Sequence, residues 1–223
     1  MRAGAGKAKG ATYERKICTQ LSLWVSDGTK DDVFWRSAMS GGRATVRSKA
    51  GKKATGHVAG DICAVHQLGH EFCDYFFVEA KHYNDLGLQR LLATGKGNVA
   101  DFWRICLAQA KEHGKEPFLV AKQNLIPPLL LLRGSAIERL QLVDLVKVVV
   151  VPLDAYLIYW EDFLGSTSYS EFRGLLRPTL HRQTTGQLSL RHFQLAKGHF
   201  SRPSDRRSDH TRRLDELKGP PSS

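Results

Sequence analysis

Apolar side chains recur along this chain in two rhythms, and the switches between them mark out the elements. Tyr13, Ile17, Leu21 and Trp24 fall on one face at helical spacing, which predicts a helix over 12–26. Thr12 stands where an N-cap belongs, and Gly28 falls just past the end as a stop signal. A short apolar run over 33–37 predicts a strand. Residues 38–56 are rich in Gly, Ser, Lys and Arg, with almost no large apolar side chain, and predict a loop. Two apolar runs, 57–65 and 72–80, flank the turn-like Gln67-Leu68-Gly69-His70 and predict a β-hairpin of two mostly buried strands.

A second long helix is expected with Asn98 as its cap, Phe102, Ile105, Cys106 and Gln109 along one side, and Gly114 beyond its end. Strands over 118–122 and 129–132 follow, joined across Pro127-Pro128. Then come a helix over 135–143, strands over 147–151 and 155–160, and a short helix over 161–164. From about residue 166 apolar residues thin out, and Ser, Thr, Arg, His and Gly dominate. This order predicts one α/β domain over 10–165, with a mixed central β-sheet flanked by helices. Residues 1–9 are expected to be a flexible basic lead-in. Residues 166–223 are expected to be a basic, flexible and largely disordered C-terminal extension.

Composition narrows the partners. The chain has 223 residues, enough for one domain with an appendage, and 42% hydrophobic residues, enough for a sizeable core. Lys+Arg number 33 against 22 Asp+Glu, a net charge of +11 that suits a polyanion. The four cysteines include no Cys-x-x-Cys pair, so neither a zinc knuckle nor a disulfide framework is expected. A reducing, cytoplasmic setting fits. The N-terminus is basic without a following apolar stretch, so no signal peptide is expected, and the longest apolar runs are strand-sized rather than membrane-spanning.

The candidate chemistry lies in two short segments. In Val78-Glu79-Ala80-Lys81 on a strand, Glu79 and Lys81 point to the same face, roughly 6–7 Å apart, while Ala80 turns into the core. Asp61 interrupts an otherwise apolar, small-residue strand, where an unpaired carboxylate would be costly. If the two strands pair, both carboxylates converge. Converging carboxylates repel and need a cation, and hard oxygen ligands select Mg²⁺, with Mn²⁺ as a substitute. Lys81 beside them would orient a water or stabilise charge on a phosphate in transit. The bland alternative is an ordinary charged pair on a solvated face.

These segments resemble the PD-(D/E)XK nuclease superfamily, which carries an Asp and then Glu-x-Lys on the next strand. The branch they look most like is the archaeal-type Holliday junction resolvases and their phage relatives. Gly10-Ala-Thr-Tyr-Glu14-Arg matches the start of that family's first helix, and Ser40-Gly41-Gly42 its loop after the first strand. Gly60-Asp61-Ile62 and Val78-Glu79-Ala80-Lys81 match the rest, in order. The resemblance covers about 10–132 and implies a restriction-endonuclease-like core. It implies metal binding by Asp61 and Glu79 with support from Glu14, Ser40 near the scissile phosphate, 5′-phosphate and 3′-hydroxyl ends, and a homodimer on a four-way DNA junction. Residue by residue, Glu14 reads equally as a first-turn glutamate favouring the helix dipole, and Ser40 as a turn serine. The loop over 44–56 is longer than a minimal resolvase needs, and residues from 133 onward have no counterpart there.

Between Val33 and Gly60 no acidic residue occurs, while Arg36, Arg43, Arg47, Lys49, Lys52 and Lys53 do, a pattern suited to a phosphate backbone. Lys122 ends a strand expected near Glu79 and joins them as a DNA contact. His82, after Lys81, is a possible proton carrier and more simply an exposed histidine. No sequence-reading module is visible, so recognition by shape and backbone charge is expected, with no small-molecule cofactor and no membrane. Nicking, restriction-like or homing cleavage of duplex DNA, an RNA substrate, and a non-catalytic DNA-binding or packaging role stand as alternatives.

Overall fold

In a computed structural model of the protein, the structure describes residues 5–37 and 59–176. The chain opens with helix α1 (Ala5–Val25). Tyr13, Ile17, Cys18, Leu21 and Trp24 form its buried stripe, as the periodicity predicts. The helix begins seven residues before Thr12, however, so Thr12 lies inside it rather than capping it, and residues 5–9 are helical rather than a flexible lead-in. Gly28 ends the turn in the left-handed region (φ 79°), its N–H donating to the Leu23 carbonyl at 2.7 Å.

The expected hairpin does not form. Strand β1 (Phe34–Arg36) pairs antiparallel with β2 (Ile62–Ala64), and the two make a ribbon of their own. The presumed turn is a 3₁₀ turn at Gln67–Gly69, and the first half of the second apolar run is a helix, α2 (His70–Tyr75). Phe72 and Cys73 of α2 are buried, so that run is apolar for helix packing rather than for strand pairing. Strand β3 (Phe76–Tyr83) meets the Asp61 segment through a single parallel bridge between Gly60 and Val78.

The main sheet is mixed. After β3 come α3 (Leu88–Thr94) and α4 (Asn98–Glu112). These carry the chain over to β4 (Glu116–Gln123), which lies parallel to β3, as a crossover connection allows. Gly97 takes the cap position of α4, and Asn98 is its first residue. Strand β5 (Leu129–Leu132) returns antiparallel across Pro127-Pro128. A short helix α5 (Gly134–Arg139) precedes the antiparallel pair β6 (Val146–Val150) and β7 (Ala155–Tyr159). The strand order is β3-β4-β5-β7-β6. Helices α6 (Trp160–Ser166) and α7 (Tyr169–Leu176) close the described chain.

Two apolar layers sandwich the sheet. One buries α1, α2, α6 and α7 against Phe76, Val78, Ala80, Phe118 and Val120; the other buries α4 against Phe77, Leu119 and Ala121. Helix α7 is a correction to the expected extension. Trp24 meets Tyr169 at 5.1 Å and Phe172 at 5.0 Å between ring centroids, and Arg173 grips Glu71 through two hydrogen bonds, 2.5 and 2.9 Å. The folded unit therefore runs past residue 165 at least to Leu176. Residues 177–223 lie outside the described residues. No described helix is long and apolar enough to cross a membrane.

Candidate active site

Alternation along β3 decides which side chains reach which layer. Val78 and Ala80 point into the α1 layer, so Glu79 and Lys81 point to the opposite face, where α4 lies. Asp61 arrives at the outer edge of β3 from the other segment. Its N–H donates to the Val78 carbonyl at 2.8 Å, and its carbonyl accepts from the Ser37 N–H at 2.9 Å. Gly60 makes this approach possible. Its φ is +100°, and a Cβ there would lie 2.5 Å from the Val78 carbonyl oxygen. Only glycine tolerates both conditions.

The result is a tight cluster. The Asp61 carboxylate, only 3% exposed, accepts from the Ala80 N–H at 3.2 Å and from Lys81 Nζ at 2.7 Å. Lys81 Nζ also pairs with Glu79 Oε2. Burial, with the Asp61 charge beside it, pushes the Glu79 carboxyl up to about 8 against the opposing pull of Lys81. Burial depresses the Lys81 ammonium, but Glu79 and Asp61 outweigh it, and the net shift is upward. Lys81 thus stays protonated at any physiological pH and serves as a fixed cation and donor. Cys106 of α4 lies buried close by, its thiol held well above the usual range by desolvation and by the Glu79 charge.

Such a donor set suits a hard divalent ion. Two carboxylates strained by their own proximity are the usual protein share of a Mg²⁺ shell, which is otherwise completed by waters and phosphate oxygens. The other expected positions fall differently. Glu14 is held by Arg36 (Nε to Oε2, 2.5 Å) and is not brought into the carboxylate cluster. Among the described residues no group of three or more His, Cys, Asp or Glu gathers for a metal. Arg36 therefore spends part of its charge on Glu14 rather than standing free for DNA. Lys122 donates to the Ile126 carbonyl and lines a recess instead of the cluster. Ser40, Arg43, Arg47, Lys49, Lys52 and Lys53 lie outside the described residues.

That recess was not foreseen. It lies between α1 and the β4–β5 turn, and Lys9, Tyr13 and Lys16 supply its α1 wall. The signal was present in the spacing of Lys9, Tyr13 and Lys16 on one helical face, but it is legible only once the helix is known to begin before residue 10.

A family described as "Phage putative PDDEXK endonuclease" matches this chain over residues 5–150. No curated protein and no solved structure matches it.

Proposed function

The chain belongs to the phage PD-(D/E)XK endonuclease family, and on that premise we propose that Asp61, Glu79 and Lys81 form its active centre, cutting DNA phosphodiesters with Mg²⁺. The family supports nuclease activity, and nucleases of this kind generally depend on a divalent metal. The observation that carries the assignment is the meeting of two carboxylates from separate segments around one ammonium, at a glycine that only this approach requires.

Asp61 and Glu79 would hold the ion, which when bound supplies charge to polarise the scissile phosphate and to acidify a water. The chain's own groups do the rest. The Ala80 N–H and Lys81 Nζ hold the Asp61 carboxylate in place. Burial, with the Asp61 charge beside it, raises the Glu79 carboxyl to about 8, so the carboxylate pair would release a proton on taking up a cation. Lys81 cannot act as a base. It orients the attacking water and opposes negative charge growing on the phosphate.

The substrate we propose is a four-way DNA junction, cut by two copies of the chain, with duplex cleavage of the nicking, restriction or homing kind as the competing use of the same site. Glu14 and Ser40 would then assist at the margin, and the basic residues 36–53 would follow the phosphate backbone. Labelled four-way junction, linear duplex and single strand, each with Mg²⁺ or EDTA, separate these readings. Paired symmetric cuts in the junction, absent in EDTA, are expected. Cutting of duplex alone moves the function to the restriction or homing class, and binding without cutting at any Mg²⁺ or Mn²⁺ concentration rejects the nuclease reading.

A further inference from the structure

The recess between α1 and the β4–β5 turn has the makings of a second DNA-binding feature. It encloses about 700 Å³, within the roughly 300–1,000 Å³ of small-ligand pockets. Its cations are Lys9, Lys16 and Lys122, with His82 between them, and Glu161 is the acid on its wall. None of the three lysines pairs with a carboxylate among the described residues. Lys9 donates to the neutral side-chain oxygens of Asn84 (2.6 Å) and Asn124 (2.8 Å), and Lys122 to a backbone carbonyl. The recess is therefore net cationic, with its charge available to an anion.

Its lining also includes Leu125, Ile126, Pro127 and Pro128, which a bare phosphate site does not need. The Tyr13 ring lies 5.2 Å from the His82 ring, and the Tyr13 hydroxyl, though buried, has no hydrogen-bond partner among the described residues. At the rim stands Leu125. It is the most exposed large apolar side chain described (103%) and holds a left-handed backbone, φ +64°. A leucine in that conformation is uncommon, and here it stands in the turn that joins β4 to β5. Exposed leucines on DNA-binding surfaces serve as wedges between base steps, and an unstacked base needs a pocket of this size and polarity to receive it.

We propose that this recess receives one unpaired nucleotide of the DNA, with its phosphate on Lys9, Lys16 and Lys122, its base against Tyr13, and Leu125 entering the base step it leaves. The assignment deepens the nuclease reading and rests on it. His82 follows Lys81 on β3, but its side chain turns to Tyr13 of α1, so the recess lies at the same strand end on the face of the sheet opposite the Glu79 and Lys81 side chains. Its substrate class is DNA with an unpaired or easily unstacked nucleotide, which branch points provide.

The test uses the full chain in EDTA with two short duplexes, one fully paired and one carrying a single unpaired 2-aminopurine. The bulged duplex is expected to bind roughly tenfold more tightly, with the 2-aminopurine fluorescence changing as the base leaves the helix stack for the Tyr13 ring. Leu125→Gly, which suits the positive φ, and Lys16→Gln, at an exposed position, should each erase that preference while changing affinity for the paired duplex less than about threefold. Equal affinity for the two duplexes, or a preference that survives both substitutions, overturns the proposal. Parallel cleavage with Mg²⁺ keeps the two readings apart. Cutting without any bulge preference sinks this proposal alone, and the preference without cutting sinks the nuclease reading alone.

Discussion

At the scale of single residues, the site is a problem in electrostatics solved at close range. Asp61 and Glu79 share one ammonium, and burial, with the Asp61 charge beside it, raises the Glu79 carboxyl. Removing Lys81 would leave both carboxylates without their cation. Lys81→Ala and Asp61→Asn are each expected to cut the cleavage rate about 100-fold or more, with DNA binding in EDTA preserved. The pH dependence follows from the sign of the Glu79 shift. A carboxyl raised from 4.5 to about 8 keeps its proton in the folded, metal-free chain across that window while the unfolded chain loses it. Stability in EDTA therefore falls as pH rises from about 4.5 to about 8 and then levels. Glu79→Gln, which cannot titrate, should be the more stable protein at pH 8 by roughly 1–3 kcal/mol, read by urea unfolding. Equal pH profiles for the two proteins would remove the argument. Gly60→Ala meets backbone at 2.5 Å and a forbidden φ at once. A loss of roughly 2–3 kcal/mol is expected, together with weakened cleavage, since Asp61 hangs on that residue.

Elements decide what those residues can reach. The single parallel bridge between Gly60 and Val78 puts Asp61 at the edge of β3, and the β1–β2 ribbon holds it there from the other side. Helix α7 is the element whose contribution is least evident from composition. Its short stretch is half polar, yet Tyr169, Phe172 and Leu176 fall at helical spacing and all are buried. Phe172 packs on the rings of Trp24 and Phe163, at 5.0 and 5.6 Å between centroids. Phe172→Ala is expected to cost about 3–5 kcal/mol in equilibrium unfolding. A loss below about 1 kcal/mol would mean that α7 is an appendage after all.

For the whole molecule the relevant quantity is the net charge of +11. Within the described residues cations cluster in the recess beside β3 and β4, while Arg36 is engaged by Glu14. Backbone-led binding predicts a steep salt response. Affinity for any DNA should fall at least tenfold between 50 and 200 mM salt, in a filter-binding or anisotropy titration. A flat response would point to a site that reads something other than phosphate.

Much was legible without a structure because it depends on local order. The helical stripe from Tyr13 to Trp24, the strand pair around Pro127-Pro128, and the Asp61 and Glu-x-Lys segments that lead to the family are all short-range patterns. What the sequence left open depends on which distant segments meet. An apolar run has the same composition in a hairpin, a parallel bridge or a helix, so 57–65 and 72–80 could not declare their partners. Nor could Glu14 announce that Arg36 would claim it, or Tyr169, Phe172 and Leu176 that Trp24 would receive them. Burial and charge pairing are properties of neighbours brought together in space. The chemistry of this protein was therefore written in its residue types, and its geometry, including the recess that no motif marks, was settled only by tertiary packing.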